Sequence, residues 1–137
     1  MYNAQNELVN LQFIHSDGTK RFLKGGKKKG CFWWIGAKTD TVLIGEGFAT
    51  CASLHENTGY LTVIAYDAGN LEEVAKIIRQ RQPTATLVIC VDNDESGIGQ
   101  EKANKAALAA NGFVALPPIV GDFNDWERLI KKGSNGR

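Results

Sequence analysis

The feature that most constrains this chain is an apolar segment that ends in a cluster of acids. Residues 87–91 read Leu-Val-Ile-Cys-Val, which is typical of a strand buried on both faces of a sheet. Residues 92–95 read Asp-Asn-Asp-Glu, and two glycines and an alanine-rich stretch follow. Closely spaced carboxylates repel one another unless a cation or solvent meets them. A buried strand, an acidic turn and a helix are the parts from which open parallel sheets build active sites.

Strand-like and helix-like segments alternate from Thr41 onward. Apolar residues recur at helical spacing after Asn70, where Glu73 three residues later predicts a capping box, and Asn111 with Gly112 predicts a helix C-cap. This alternation predicts an α/β fold with a four-stranded, mainly parallel sheet flanked by helices. The predicted strands are 41–44, 61–66, 87–91 and 113–116, and the predicted helices include 48–57, one that starts after Asn70, one that ends at Asn111–Gly112 and one that starts at Asn124.

The N-terminal part has a different pattern. Residues 8–14 alternate as a strand does, residues 16–19 form a turn signal, and residues 21–23 and 31–35 predict two further strands. We therefore expect a small N-terminal β-meander. The predicted organisation is a β-rich segment at 1–39, a domain at 40–133 and a tail at 134–137.

Composition sets limits on the class of protein. The 137 residues carry a formal net charge of +1, which gives no global argument for a polyanionic partner. The three cysteines show no Cys-x-x-Cys spacing, which argues against a zinc ribbon and against a disulfide framework. The N-terminus is polar and no apolar run approaches the ~20 residues of a membrane span. We expect a cytoplasmic protein without a membrane partner.

An acidic residue follows each predicted strand of the sheet. Glu46 follows the first strand, Asp67 the second, and Asp92 and Asp94 the third, while Asp122 comes after the fourth strand and a loop. The carboxyl ends of parallel strands share one edge, so we expect these acids to gather there. Carboxylate oxygens are ligands for Mg²⁺, and the spacing of Asp92 and Asp94 lets both converge on one ion. The pattern predicts a site for a divalent cation.

These residues also have purely structural interpretations. Glu46 lies between two glycines and could be an ordinary turn residue, and acidic loops such as the one with Asp122 are common. Asp92 and Asp94 could cap the following helix, because anions favour helix N-termini.

A basic run precedes the third predicted strand. Lys27, Lys28 and Lys29 could be a solvated loop or a nucleic-acid-binding patch, with Trp33 and Trp34 nearby to stack on bases. The tryptophans could equally be core residues of the small β unit.

Three motifs together resemble the Toprim domain of topoisomerases and bacterial-type primases. They are G-E-G-F-A-T at 45–50, D-N-D-E-S-G at 92–97 and G-D-F-N-D at 121–125, in the order of the family. The resemblance covers about residues 40–130 and is strongest to primases of phages and plasmids, which are often fused to a helicase. It implies a Toprim-like fold and Mg²⁺ or Mn²⁺ as the cofactor.

The resemblance also implies residue roles. Glu46 would be the general acid or base, Asp92 and Asp94 would hold magnesium, and Asp122 would be a later acidic ligand. Many primases carry a second acid four residues after the glutamate, where this chain has Thr50, which leaves the number of metal ions open. Asp67 matches no motif of the family.

Several functions remain compatible with these motifs. The first is a DNA primase that uses nucleoside triphosphates to make RNA primers on single-stranded DNA, working with a zinc-binding domain and a helicase. The same acids could instead serve a Toprim nuclease, and a non-catalytic nucleic-acid-binding or protein-binding module is a further alternative. A phosphatase of the Asp-x-Asp kind is disfavoured, since that fold usually carries the motif on its first strand.

Overall fold

The computed structural model describes residues 1–117. The predicted helix from Asn124, the predicted ligand Asp122 and the predicted tail lie outside the described residues. The strands are β1 (Gln12–Ile14), β2 (Lys20–Phe22), β3 (Trp33–Ile35), β4 (Thr41–Gly45), β5 (Leu61–Ile64), β6 (Thr86–Cys90) and β7 (Phe113–Ala115). The helices are α1 (Phe48–Thr58), α2 (Leu71–Arg81) and α3 (Ile98–Ala110), with a short 3₁₀ helix (Ala68–Asn70) before α2.

The central sheet has five strands in the order β3-β5-β4-β6-β7. The last four of these are mutually parallel, and they are the four strands predicted from the sequence. Every residue of β5 is buried, as expected for a strand covered on both faces. The α/β fold with a mainly parallel sheet is therefore confirmed.

The prediction of an N-terminal meander is correct for two strands and wrong for the third. β1 and β2 form an antiparallel hairpin, with Gln12 opposite Phe22 and Ile14 opposite Lys20. β3 instead pairs antiparallel with β5 and becomes the fifth strand of the central sheet. The three residues of β3 carry no sequence signal that specifies the strand with which they pair. The exposed edge of β5, however, offers unpaired backbone groups with which an apolar strand can form hydrogen bonds.

Helices cover both faces of the sheet. Val42 and Ile44 point to the face covered by α2 and α3, and Leu43 points to the opposite face, where Leu54 of α1 packs. Alternation along a strand produces this division. α2 buries the four residues predicted at helical spacing, and α3 buries four alanines, whose small side chains let the helix approach its neighbours closely. The buried residues of α2 are Leu71, Val74, Ala75 and Ile78, and those of α3 are Ala103, Ala106, Ala107 and Ala110.

Asn70 does not act as the predicted capping residue, because its side chain makes no hydrogen bond to the first turn of α2. It is 5% exposed, and its Oδ1 accepts the backbone N–H of Gly30 at 2.7 Å. Its Nδ2 donates to the carbonyl oxygens of Cys31 and Ala65, each at 2.9 Å. Asn70 therefore fastens the loop before β3 to the end of β5, since a buried amide is stable only where its hydrogen bonds are made.

The three cysteines are free and buried. Burial raises the pKa of the Cys51 and Cys90 thiols to about 12, so both remain protonated and pack as small core residues. Among residues 1–117, no helix has the length and apolar character needed to cross a membrane.

Candidate functional site

The acids after β4 and β6 share the carboxyl edge of two neighbouring strands. β4 and β6 are paired in parallel with Ile44 opposite Ile89, so the two strands end side by side. Glu46 follows Gly45 at the end of β4, and Asp92 comes two residues after the end of β6. The backbone carbonyl of Glu46 also accepts the N–H of Tyr66 at 2.9 Å, which joins the end of β5 to the same edge. Topology alone thus places these carboxylates together, as predicted.

Glu46 is the half-buried member of the group. Burial, followed by the negative charges of Asp92, Asp67 and Asp94, raises the pKa of its carboxyl, while Lys20 opposes the rise. Both desolvation and like charge disfavour the ionised form. A raised pKa favours the uptake and release of a proton by the Glu46 carboxyl during a reaction.

Asp94 is exposed and shapes the turn before α3. Its Oδ1 accepts the Ser96 hydroxyl at 2.8 Å and the Gly97 N–H at 2.9 Å. These hydrogen bonds hold the pKa of Asp94 below its usual range. Gly97 has φ +72°, a left-handed conformation that glycine adopts without strain. The structural interpretation of Asp94 as a capping residue thus accounts for one of its two oxygens.

The second oxygen of Asp94 faces Glu46 across a glycine. A Cβ placed on Gly99 would lie 3.8 Å from Asp94 Oδ2 and 3.8 Å from Glu46 Oε1. Because Gly99 carries no side chain, the space between the two carboxylates stays open to a ligand. Two acids from different strands therefore line one gap.

A cavity of about 170 Å³ opens at this edge. Its lining combines Glu46, Asp92 and Tyr66 with Lys20 from the N-terminal hairpin. A Cβ on Gly47 would lie 3.8 Å from Lys20 Nζ, so this ammonium reaches over the glycine beside Glu46. Sequence analysis missed Lys20, because nothing local to β2 indicates that the hairpin lies against the acidic edge.

The residues present fit a hard divalent cation. Within residues 1–117 no three acidic, histidine or cysteine side chains are grouped closely enough to hold a metal by themselves. Mg²⁺, however, is usually bound through one or two carboxylates together with waters and substrate phosphates. Asp92 provides oxygen donors of this kind in the cavity, and Asp94 provides them beside the gap at Gly99. The roles assigned to Glu46, Asp92 and Asp94 remain predictions.

Three further positions clarify the edge. Thr50 lines the acidic cavity, so the position at which many primases carry a second acid does face the site. Asp67 accepts the Gly69 N–H at 2.6 Å, which makes it a cap of the 3₁₀ helix as well as a negative neighbour of Glu46. Asn93, which was not singled out, donates to the carbonyl of Pro117 at 3.0 Å. The chain that leads toward Asp122 is therefore attached to the acidic loop.

The lysine run lies in the loop between β2 and β3, and all three side chains are exposed. Lys28 Nζ lies 4.1 Å from the centre of the Phe22 ring, and Phe22 contacts Tyr66 edge to face at 6.1 Å. The backbone carbonyls of Lys27 and Lys29 accept hydrogen bonds from the Asn10 amide and the Cys31 thiol. The loop is thus connected to the acidic edge through two aromatic rings, and its nucleic-acid role stays a prediction.

Comparison with known proteins gives consistent matches. Two DNA primases TraC of Escherichia coli are 37% and 38% identical to this chain over 139 and 141 residues. These matches cover 93% and 94% of this chain but 10% and 13% of the relatives, so the chain spans about a tenth of the length of the curated relatives it matches.

Solved structures share the fold. The primase fragment of the bacteriophage T7 primase-helicase protein superposes with a TM-score of 0.63 at 16% identity, over 96% of this chain and 58% of that chain. A bacteriophage T7 lagging-strand DNA polymerase structure with primase domains of two gp4 subunits, an RNA/DNA hybrid and dTTP also gives 0.63 at 16% identity, over 95% of this chain and 71% of that chain. The Toprim domain family matches residues 41–134, which is more than half of the sequence. The chain therefore belongs to the Toprim domain family.

Proposed function

We propose that this Toprim domain catalyses metal-dependent nucleotidyl transfer, the reaction by which a DNA primase makes RNA primers on single-stranded DNA. The observation that carries the proposal is the position of Glu46 between two other acids: it faces Asp94 across Gly99 and lines one cavity with Asp92, at the ends of two parallel strands. The DNA primases TraC, which are 37–38% identical to this chain, support the reaction class.

Each residue has a distinct task in this proposal. Asp92 and Asp94 offer oxygen ligands to Mg²⁺ or Mn²⁺, and Asp122 of the later acidic motif would be a further ligand. When bound, the ion would offset negative charge on the phosphates in the transition state. Glu46, whose pKa is raised by burial, accepts the proton of the attacking hydroxyl. Lys20 supplies a cation in the same cavity, beside Glu46.

The partners follow from the same proposal. Nucleoside triphosphates and a single-stranded DNA template are the substrates, and the exposed lysines at 27–29 contribute positive charge for the template. A zinc-binding domain and a helicase act with this domain. The structural likeness to the primase fragment of a bacteriophage T7 primase-helicase protein is in keeping with the helicase.

The experiment separates primase from nuclease chemistry. The chain is incubated with Mg²⁺, labelled single-stranded DNA and ribonucleoside triphosphates, and primer synthesis is measured with and without EDTA. A matched control is Asp40→Asn, which removes an exposed acid immediately before β4, at the opposite end of that strand from Glu46. Metal-dependent primers are expected from the wild type and from this control. DNA degradation that needs no triphosphate would assign the acids to a nuclease.

A binding measurement supports the assay. NMR titration with Mg²⁺ and inorganic tripolyphosphate is expected to shift amide signals around Glu46, Asp92 and Asp94. No response at millimolar metal would contradict the proposed site.

A further inference from the structure

A second, larger cavity lies next to the acidic one and has no role assigned to it so far. Its volume is about 430 Å³, within the range of ~300–1,000 Å³ typical of small-molecule pockets. Several of its lining residues are large hydrophobic side chains that remain exposed, with Leu8 59%, Leu11 44%, Ile14 51% and Phe48 42% accessible. The other lining residues are Met1, Tyr2, Gln12, Trp33 and Tyr66. An exposed apolar hollow of this size is characteristic of a ligand-binding surface.

The two cavities are contiguous. Tyr66 lines both of them, and Phe48 of the apolar cavity is two residues after Glu46 of the acidic cavity. Ile14 and Lys20 are opposite each other in the β1–β2 hairpin. Since directly opposed side chains lie on the same face, this pair sends an apolar group into one cavity and an ammonium into the other. A ligand in both cavities would meet aromatic rings at one end and charges at the other.

Tyr66, the wall shared by the cavities, is held in an uncommon conformation. Its φ is +72°, which is a rare value for a bulky aromatic residue. The N–H of Tyr66 donates to the Glu46 carbonyl at 2.9 Å, and its ring meets Phe22 edge to face. Strained backbone of this kind persists where the surroundings fix it, and it concentrates at ligand sites. The aromatic wall is therefore positioned against the catalytic strand end rather than left mobile.

We propose that the apolar cavity binds the base of a nucleoside triphosphate whose phosphates occupy the acidic cavity between Lys20 and the carboxylates. A nucleobase matches the lining because every base, whichever it is, has a π-face that stacks on aromatic side chains. The triphosphate matches the adjoining cavity, where a cation and metal-binding acids are close together. The inference deepens the proposed function and depends on it, since it names the part of the substrate held outside the reacting centre.

The test compares a ligand that has a base with one that lacks it. ATP and inorganic tripolyphosphate are titrated with Mg²⁺ into the 137-residue chain, and NMR amide shifts give both dissociation constants. Phe48→Ala is expected to weaken ATP binding by about 5- to 100-fold, the usual range for loss of one base–aromatic stack. The affinity for tripolyphosphate should stay unchanged. Ile14→Ser is a second variant with an exposed side chain, for use if Phe48→Ala fails to fold. The matched control is Phe13→Ala, because Phe13 is 48% exposed and adjacent to Ile14 but does not line the cavity.

The outcomes are separable from those of the proposed function. Equal ATP affinity in the wild type, Phe48→Ala and Ile14→Ser overturns the proposed base site. Metal-dependent binding of tripolyphosphate in the same variants would still support the reacting centre. Failure of tripolyphosphate to bind with Mg²⁺ overturns the proposed function itself. A short oligodeoxynucleotide is titrated in parallel. If Phe48→Ala weakens binding of this oligonucleotide but not of ATP, the cavity binds the template strand and the proposal is wrong.

Discussion

The two ends of the parallel strands are built on opposite electrostatic principles. Where β6 and β7 begin, the guanidinium of Arg79 donates to five backbone carbonyl oxygens of helix ends and loops at 2.7–3.3 Å. Where β4 and β6 end, burial and then the like charges of neighbouring carboxylates raise the pKa of Glu46. The carbonyls bound by Arg79 belong to Gln82, Pro83, Ala85, Ala110 and Asn111.

This difference separates what stabilises the fold from what the fold presents to a ligand. A cation at the C-termini of α2 and α3 meets the negative ends of both helices and stabilises the protein. Acids crowded at one edge cost stability until a cation arrives. The end with crowded like charges is therefore the end to test for chemistry, and the end whose carbonyl groups are bound by Arg79 is the end to test for stability.

The largest expected effect is at the acidic end. Glu46→Gln should lower primer synthesis by ~10²–10⁴-fold, the usual result of removing a positioned acid or base, while Mg²⁺ still binds. Asp94→Asn should lose Mg²⁺ binding and synthesis together. Its amide oxygen can still accept the hydrogen bonds of Ser96 and Gly97, so the turn before α3 is kept. Synthesis rates and metal titrations measure the two effects separately. A Glu46→Gln variant with near wild-type rates would remove Glu46 from the mechanism.

The next effect is at the opposite end. Arg79→Met should lower the free energy of unfolding by about 2–4 kcal/mol, because several carbonyl groups lose a charged donor at once. Arg81→Met, in the same helix, is the matched control. Arg81 is exposed and donates to Ala4 and Asn6, so its loss should cost under about 1 kcal/mol. Urea unfolding of both variants gives the comparison, and equal destabilisation would show that the carbonyl network at Arg79 contributes nothing particular.

Much of the acidic end was predictable, because it depends on local pattern and chain order. The periodicity of apolar residues predicted all four parallel strands and the buried face of α2. Because parallel strands end at the same edge of a sheet, Glu46 and Asp92 could then be placed together without knowledge of any contact. Asn111 was likewise predictable as a helix end, since asparagine tolerates the left-handed conformation found there.

The rest depends on contacts between distant parts of the chain. β3 pairs with β5 rather than with the hairpin, and no three-residue segment specifies its partner. Asn70 fits a capping pattern in the sequence but fastens a loop 40 residues away. Lys20 and Arg79 were missed for the same reason, because a charged residue on a short strand or helix gives no sign of which distant groups it will meet.

The lysine loop tests whether the chain supplies its own positive charge near the acidic end. Replacing Lys27, Lys28 and Lys29 with alanine should weaken single-stranded DNA binding by about tenfold and reduce the slope of log affinity against log salt by up to ~2. Arg79 and the acids are untouched, so stability and Mg²⁺ binding serve as internal controls. Fluorescence anisotropy at several salt concentrations measures the slope. An unchanged slope would make the run an ordinary solvated loop.

The smallest effect is on the free energy of unfolding of the metal-free protein. It tests how much the fold loses by holding the Glu46 carboxyl half-buried among like charges. The pKa of Glu46 is raised in the folded state, so between the unfolded pKa near 4.5 and the folded value the native protein binds more protons than the unfolded chain. Stability should therefore be full below that window and fall as pH rises through the folded pKa. In EDTA, Glu46→Gln should remove this fall and raise the unfolding free energy at pH 7 by less than about 1 kcal/mol. Because bound Mg²⁺ neutralises the same repulsion, adding it should shrink the difference between wild type and Glu46→Gln. If the stability of apo wild type and Glu46→Gln instead falls in parallel as pH rises, the burial of Glu46 and the like charges around it do not distinguish this end of the sheet from the other.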